Sequence, residues 1–220
     1  MAYIAKAPLF ISLPKRERQL YGGLEMEKKE VLFLFTDYWA DWEVGHAMAQ
    51  ISFTDAYVVK TISIDKKPKV SVSGMRVEID YSVQEYHCLN NLAMIVLVGS
   101  GSWRNNRFDE IAGFVRRANG CNIPVAAICG ATVFLAKDGF LNCVKHTSNG
   151  LGFFKERLAG EDTYTGWKYF VSAQAVCDGG FITANETAAL EFAREIALAL
   201  LEDPDDVSFW YEKHRRGLIS

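Results

Sequence analysis

The sequence predicts a three-layer α/β/α sandwich on a mostly parallel central sheet. Three observations carry that expectation. Short apolar runs alternate with helical patterns, several runs are apolar on both faces as in buried parallel strands, and 220 residues suffice for one such domain without forcing a second.

The elements follow in order. Residues 1–27 read as an N-terminal extension, a vector-derived remnant or a loosely packed arm. They mix a short apolar stretch with Pro14, the basic Lys15, Arg16 and Arg18, and Gly22-Gly23, and follow neither period. The α/β domain is expected over 28–203. Val31 to Thr36 is a continuous apolar run suited to a central strand, 40–52 has helical spacing, and 56–64 is a second strand. Pro/Gly punctuation and Val/Ser alternation around Ser73-Gly74 suggest a small hairpin within 67–81. Leu92 to Val98 is a third core strand. A helix at 106–119 places Ile111, Phe114, Val115 and Ala118 on one face, with Gly120 as its stop. Residues 124–128 form a fourth strand running into a helix at 130–138 that Gly139 ends. Strand-like pieces at 144–149, 167–177 and 180–184 precede a helix at 186–201. The segment 204–220 opens at Pro204 and reads as a surface helix through Phe209, Trp210 and Tyr211.

Composition narrows the function. The net charge of −3 argues against a nucleic-acid surface, which needs a Lys/Arg excess on one face. No apolar run approaches the roughly 20 residues of a membrane span, and no signal peptide precedes the body. The five cysteines are odd in number and lack C-x-x-C spacing, and no two of the four histidines stand at i, i+4. Free thiols in the cytoplasm, with no metal and no cofactor, are therefore expected.

The informative segment is Pro124-Val-Ala-Ala-Ile-Cys-Gly130. Cys129 follows a buried strand and precedes a helix, at the carboxyl end of a strand where ligands collect in open α/β sheets. A helix N-terminus favours thiolate over thiol. Small neighbours allow a sharp nucleophile elbow, and the Gly130 amide would face an oxyanion on an attacked carbonyl. The plain alternative is a cysteine packed as a small hydrophobe, and that is the reading for Cys88, Cys121, Cys143 and Cys177. Gly99 and Ser100, in the loop Val98-Gly-Ser-Gly-Ser-Trp103, would bring backbone amides to the same site, although a bare Gly-Ser-Gly also suits an ordinary turn. The stretch Thr36 to Glu43 adds Asp37, Asp41 and Glu43 among aromatic rings. An acid in a helix's first turn is usually a solvated dipole partner, but one entering a cleft would have its pKa raised and could share a proton with a thiolate.

These pieces together resemble the ThiJ/PfpI family, relatives of the class I glutamine amidotransferases, over residues 30 to 200. The marker is AAICGATVFLAKDGFL at 126–141. Leu97-Val-Gly-Ser100 stands where members carry Leu-Pro-Gly-Gly, Trp103 follows at a familiar distance, and Phe181-Ile-Thr-Ala-Asn and Leu190-Glu-Phe-Ala193 resemble the closing strand and helix. The resemblance implies a flavodoxin-like fold with Cys129 as nucleophile, Glu43 as the acid bonded to its sulfur, and the Ser100 and Gly130 amides as an oxyanion pocket. His146, after the elbow helix, is a further catalytic candidate. The protease-like branch has histidine directly after the cysteine, where this chain has Gly130, which weakens a peptidase reading. The His-x-Glu pair of a glutamine amidotransferase is absent.

The expected function is that of a cysteine-dependent hydrolase-like enzyme on a small carbonyl, amide or peptide-like substrate. The alternatives are a redox or stress protein with an oxidisable low-pKa thiolate, and an interaction module with a vestigial site. The resemblance also implies a homodimer or higher homo-oligomer, with Tyr38, Trp39 and Trp42 offering an apolar surface at the mouth of the site.

Overall fold

The computed structural model describes residues 27–104, 108–200 and 203–217. The expected N-terminal extension lies outside the described residues except for its last position. The chain runs through β1 (Lys29–Leu34), α1 (Gly45–Ser52), β2 (Tyr57–Ser63), β3 (Lys69–Val70), β4 (Arg76–Val77), β5 (Tyr81–Ser82), β6 (Leu92–Leu97) and α2 (Asp109–Gly120). It continues through β7 (Val125–Ile128), α3 (Gly130–Lys137), α4 (Leu151–Arg157), β8 (Ala175–Asp178), β9 (Phe181–Ala184), α5 (Ala189–Leu200) and α6 (Pro204–Arg216).

The central sheet has the order β5-β2-β1-β6-β7-β9-β8, and every pairing is parallel except β8 with β9. Strand alternation explains the three layers. Leu32 and Leu34 of β1, with Ile95 and Leu97 of β6, face the core shared with α2 and α3. Val31, Phe33, Met94 and Val96 face the opposite core with α1 and α5. Both faces are covered, so the strands read as unbroken apolar runs. No helix among the described residues is long and apolar enough to cross a membrane.

Several local expectations change. The hairpin exists as the short antiparallel β3–β4 ladder, but Tyr81–Ser82 leaves it to extend the main sheet beside β2. The stop of α2 falls on Asn122, in the left-handed region at φ 58, while Gly120 is still helical. Residues 144–149 form no strand. One bridge, His146 to Phe170, joins them to the next segment, and a short helix, α4, follows. With seven residues and only Phe154 fully buried, α4 is too brief for its period to stand out in the sequence. Helix α6 is not merely a surface helix: Val207 and Trp210 are buried, and Tyr211 Oη donates to Glu191 of α5 at 3.0 Å.

Candidate active site

Four neighbouring parallel strands, β1, β6, β7 and β9, each end at one side of the site. Glu43 follows β1, Gly99 and Ser100 follow β6, Cys129 follows β7, and Glu186 follows β9. Cys129 caps α3 at φ 57 and ψ −126, a conformation that costs a non-glycine residue on the order of 1–3 kcal/mol. The surroundings hold it there. Its amide donates to Ala184 O at 3.0 Å, and its carbonyl accepts from Thr132 Oγ1 at 2.6 Å. That hydroxyl also meets Ser148 Oγ at 2.7 Å, tying the elbow to residues 147–149.

The loop after β6 presses against the elbow closely enough to dictate two residue types. A Cβ on Gly130 would lie 2.7 Å from Ser100 O, so a histidine cannot follow the cysteine without displacing this loop. A Cβ on Gly99 would lie 2.1 Å from Glu43 Oε2. Gly99 therefore makes room for the carboxyl, a role distinct from the ligand contact expected of it. Trp39 and Ser100 face each other in an antiparallel bridge whose bonds run from Ala40 N to Gly99 O and from Gly101 N to Tyr38 O. Ser100 N–H is left out of that ladder. The Ser100 hydroxyl donates to Asp37 O at 2.7 Å, which keeps the side chain on the loop.

Glu43 is 0 % exposed, at the end of the 3-10 turn Asp41–Glu43. The Cys129 thiol and the Gly99 N–H act on its carboxyl, yet neither completes a full hydrogen bond, and both oxygens are unpaired among the described residues. Burial therefore wins and raises its pKa to about 7, with a smaller push from the Glu186 charge. Asp41 contrasts with it. Burial works against its charge, but Ser71 and Ser73 outweigh that and hold the carboxyl below its usual range; Ser73 Oγ donates to it at 2.6 Å.

The expected depression of the Cys129 thiol is reversed. Burial first, then the charge of Glu43, push it up to about 12, against the pull of Asn149 and the Gly130 N–H. Cys129 and Glu43 thus compete for ionisation, and a proton on Glu43 removes the larger of the two charges opposing a thiolate.

Two residues that sequence reasoning missed touch the sulfur. Asn149 Nδ2 donates to Cys129 Sγ at 3.2 Å and to Glu186 Oε2 at 2.9 Å. Glu186 N donates to Asn149 Oδ1 at 2.9 Å, and the thiol approaches Glu186 Oε2 at 3.9 Å. The carboxyl-end argument that singled out Cys129 applies equally to 185–186, directly after β9. Asn149 had no such signal, because it follows an irregular segment. Beside these residues opens a cavity of about 460 Å³ lined by residues 147–150, 172–174 and 185–187.

His146 is not brought to the sulfur by any hydrogen bond it makes. Its Nδ1 donates to Val144 O at 2.7 Å and its Nε2 accepts from Tyr164 Oη at 2.7 Å, so both ring nitrogens are engaged. The ring is buried among Phe154, Tyr164 and Phe170, and burial lowers its pKa. Trp39 is also buried, leaving Tyr38 (68 % exposed) and Trp42 (56 % exposed) as the apolar surface at the mouth. Cys88, Cys121, Cys143 and Cys177 are exposed rather than packed as hydrophobes, and only Cys129 is half-buried.

Comparison with known proteins agrees with this fold. The sequence model of the DJ-1/PfpI family matches residues 29–199. An uncharacterized protease, YdeA, of Bacillus subtilis strain 168 is 35 % identical over 191 residues, covering 86 % of this chain and 92 % of that protein. A second uncharacterized protease of the same organism, YoaZ, is 30 % identical over 198 residues, covering 86 % of this chain and 92 % of YoaZ. Among solved structures, a ThiJ/PfpI family protein from Bacillus anthracis superposes with a TM-score of 0.76 at 28 % identity, covering 86 % of this chain and 92 % of its own. The DJ-1 superfamily protein Atu0886 from Agrobacterium tumefaciens gives 0.74 at 27 % identity, covering 85 % of this chain and 100 % of its own. On these matches the chain belongs to the DJ-1/PfpI family.

Proposed function

We propose that the protein is a cysteine-dependent enzyme acting on a small carbonyl, amide or peptide-like substrate, and that a small carbonyl compound suits the site best. The observation that carries this reading is the pairing of the Cys129 sulfur with the buried, protonatable Glu43, beside Asn149 and Glu186, which approach the sulfur and also line the neighbouring cavity. The thiol proton passes to Glu43, the sulfur bonds to the carbonyl carbon, and the carbonyl π pair moves to oxygen, where the Ser100 and Gly130 N–H groups support the charge. Glu43 then returns the proton to that oxygen, giving a thiohemiacetal with every atom accounted for. Cleaving an amide would need Glu43 to carry the same proton to the departing amine instead of to the oxygen, because both ring nitrogens of His146 are already engaged with Val144 and Tyr164. The names of the two Bacillus relatives favour the hydrolytic branch, so both substrate types belong in the test.

The experiment follows glyoxal and methylglyoxal consumption beside hydrolysis of short peptides and aryl amides, with Cys129→Ala as control. Carbonyl turnover that disappears in the control is expected. Absence of any Cys129-dependent turnover would rule the reading out. A redox role is the second reading. Asn149 and the Gly130 N–H already donate toward the sulfur, as they would toward the oxygens of a sulfinate. A peroxide titration followed by intact mass tests it, and oxidation at the exposed cysteines in preference to Cys129 would dismiss it.

A further inference from the structure

The cavity beside Cys129 is walled by hydroxyls, amides and small residues, with Glu186 as the one charged side chain. The neighbouring amides are largely committed to one another: Asn185 Nδ2 donates to Gln174 Oε1, and Thr187 Oγ1 donates to Asn185 Oδ1. Glu186 is held differently. Asn149 grips it at two points, side chain to carboxylate and side chain to main-chain amide, so the carboxylate is fixed over the sulfur. No lysine or arginine pairs with it among the described residues. Trp42 Nε1 donates to Glu186 O at 2.9 Å, which anchors an exposed indole at the same rim.

A positioned carboxylate with an aromatic ring beside it is a setting that attracts ammonium and guanidinium groups. We propose that Glu186 is a specificity residue, selecting substrates that carry a positively charged amino or guanidino group next to the reacting carbonyl and disfavouring carboxylate-bearing ones. The proposal rests on the reading of Cys129 as the attacking atom and names the substrate class for it. The carboxylate is solvent-exposed, so its field on a charged group near the sulfur sits at the weak end of the Coulomb range, about five- to tenfold per unit charge.

The test reads charge selection without turnover. Cys129 is modified in the folded protein with three methanethiosulfonates, bearing a trimethylammonium, a neutral hydroxyl and a sulfonate, and rates are resolved by peptide mass. Each rate is divided by that of the neutral reagent, which cancels any change in thiol ionisation. In Glu186→Gln the cationic ratio at Cys129 should fall, and the anionic ratio rise, each about five- to tenfold. The ratios at Cys88, Cys121, Cys143 and Cys177 should stay put. In the wild-type protein, raising salt from low to molar concentration should compress the same ratios at Cys129, an arm that needs no variant. Unchanged ratios at Cys129 in both arms would overturn the proposal while leaving the carbonyl reaction standing. Charge selection without turnover of any carbonyl would do the reverse.

Discussion

The buried carboxyl of Glu43 makes a quantitative prediction about stability. Its pKa is about 7 in the fold against the usual 4.5, so the folded chain holds this proton more tightly than the unfolded one. The associated stabilisation is complete below pH 4.5 and is lost as pH rises through 7. A shift of that size corresponds to about 3 kcal/mol, or roughly 6–12 °C of melting temperature for a chain of this length. Glu43→Gln keeps the shape and removes the titration. Its offset from wild type depends on how well the amide is accommodated, but that offset does not change with pH. The melting-temperature difference, variant minus wild type, should therefore climb by roughly 6–12 °C between pH 4.5 and pH 8.5. Cys129 does not confound the window, because its thiol, pushed up to about 12, keeps its proton throughout. Differential scanning calorimetry or fluorimetry over five or six buffers measures the difference. Parallel curves for the two proteins would mean that Glu43 does not titrate there, and the shared-proton mechanism would fall with it.

Three further outcomes follow from the same geometry. Gly99→Ala puts a methyl group where Glu43 Oε2 lies; it should destabilise the fold by about 1–3 kcal/mol and flatten the pH dependence just described. Thermal melts of that variant at pH 5 and 8 check both parts, and a wild-type slope would show that the carboxyl tolerates the methyl. His146→Phe should lower stability, because Tyr164 Oη and Val144 O lose their partner at a cost of about 1–3 kcal/mol each. Its kcat per folded molecule should hold within about threefold, far short of the roughly hundredfold or greater loss expected on removing a general base; a hundredfold drop in a folded variant would restore His146 to catalysis. Finally, the exposed Tyr38 and Trp42 favour self-association. Light scattering at micromolar concentration should give the mass of a homodimer, and a monomer mass would assign these rings to the mouth of the site within one subunit.

The sequence exposed the parts of this molecule whose physics is local. Double-sided burial marks β1, β6 and β7 as unbroken apolar runs, and a strand meeting a helix at Cys129 announces the elbow. What was hidden depends on tertiary placement. Nothing in Val144 to Asn149 says that the segment pairs through one bridge, buries His146 with Tyr164 and delivers Asn149 to the sulfur. The direction of the Cys129 shift was hidden for a related reason. A helix N-terminus is visible in sequence, whereas the opposing burial and the facing Glu43 exist only once β1 and β7 are separated by β6 alone. Glu43 could be chosen over Asp41 by resemblance, but the physical difference, serine partners for one and none for the other, needed the fold.

The adjacency of β1, β6, β7 and β9 has a temporal consequence. Glu43 and Glu186 meet the same sulfur although 142 residues of chain separate them. On a ribosome the first three strands are synthesised well before the last, and the strained backbone of Cys129 has no bond to Ala184 until β9 inserts beside β7. A nascent chain halted before residue 181 therefore carries an elbow free to relax, with its thiol outside the environment that Asn149 and Glu186 complete. At about 5–20 residues per second, that interval lasts some seconds after Cys129 is made. The surroundings that set this thiol's ionisation are thus completed last, when β9 closes beside β7.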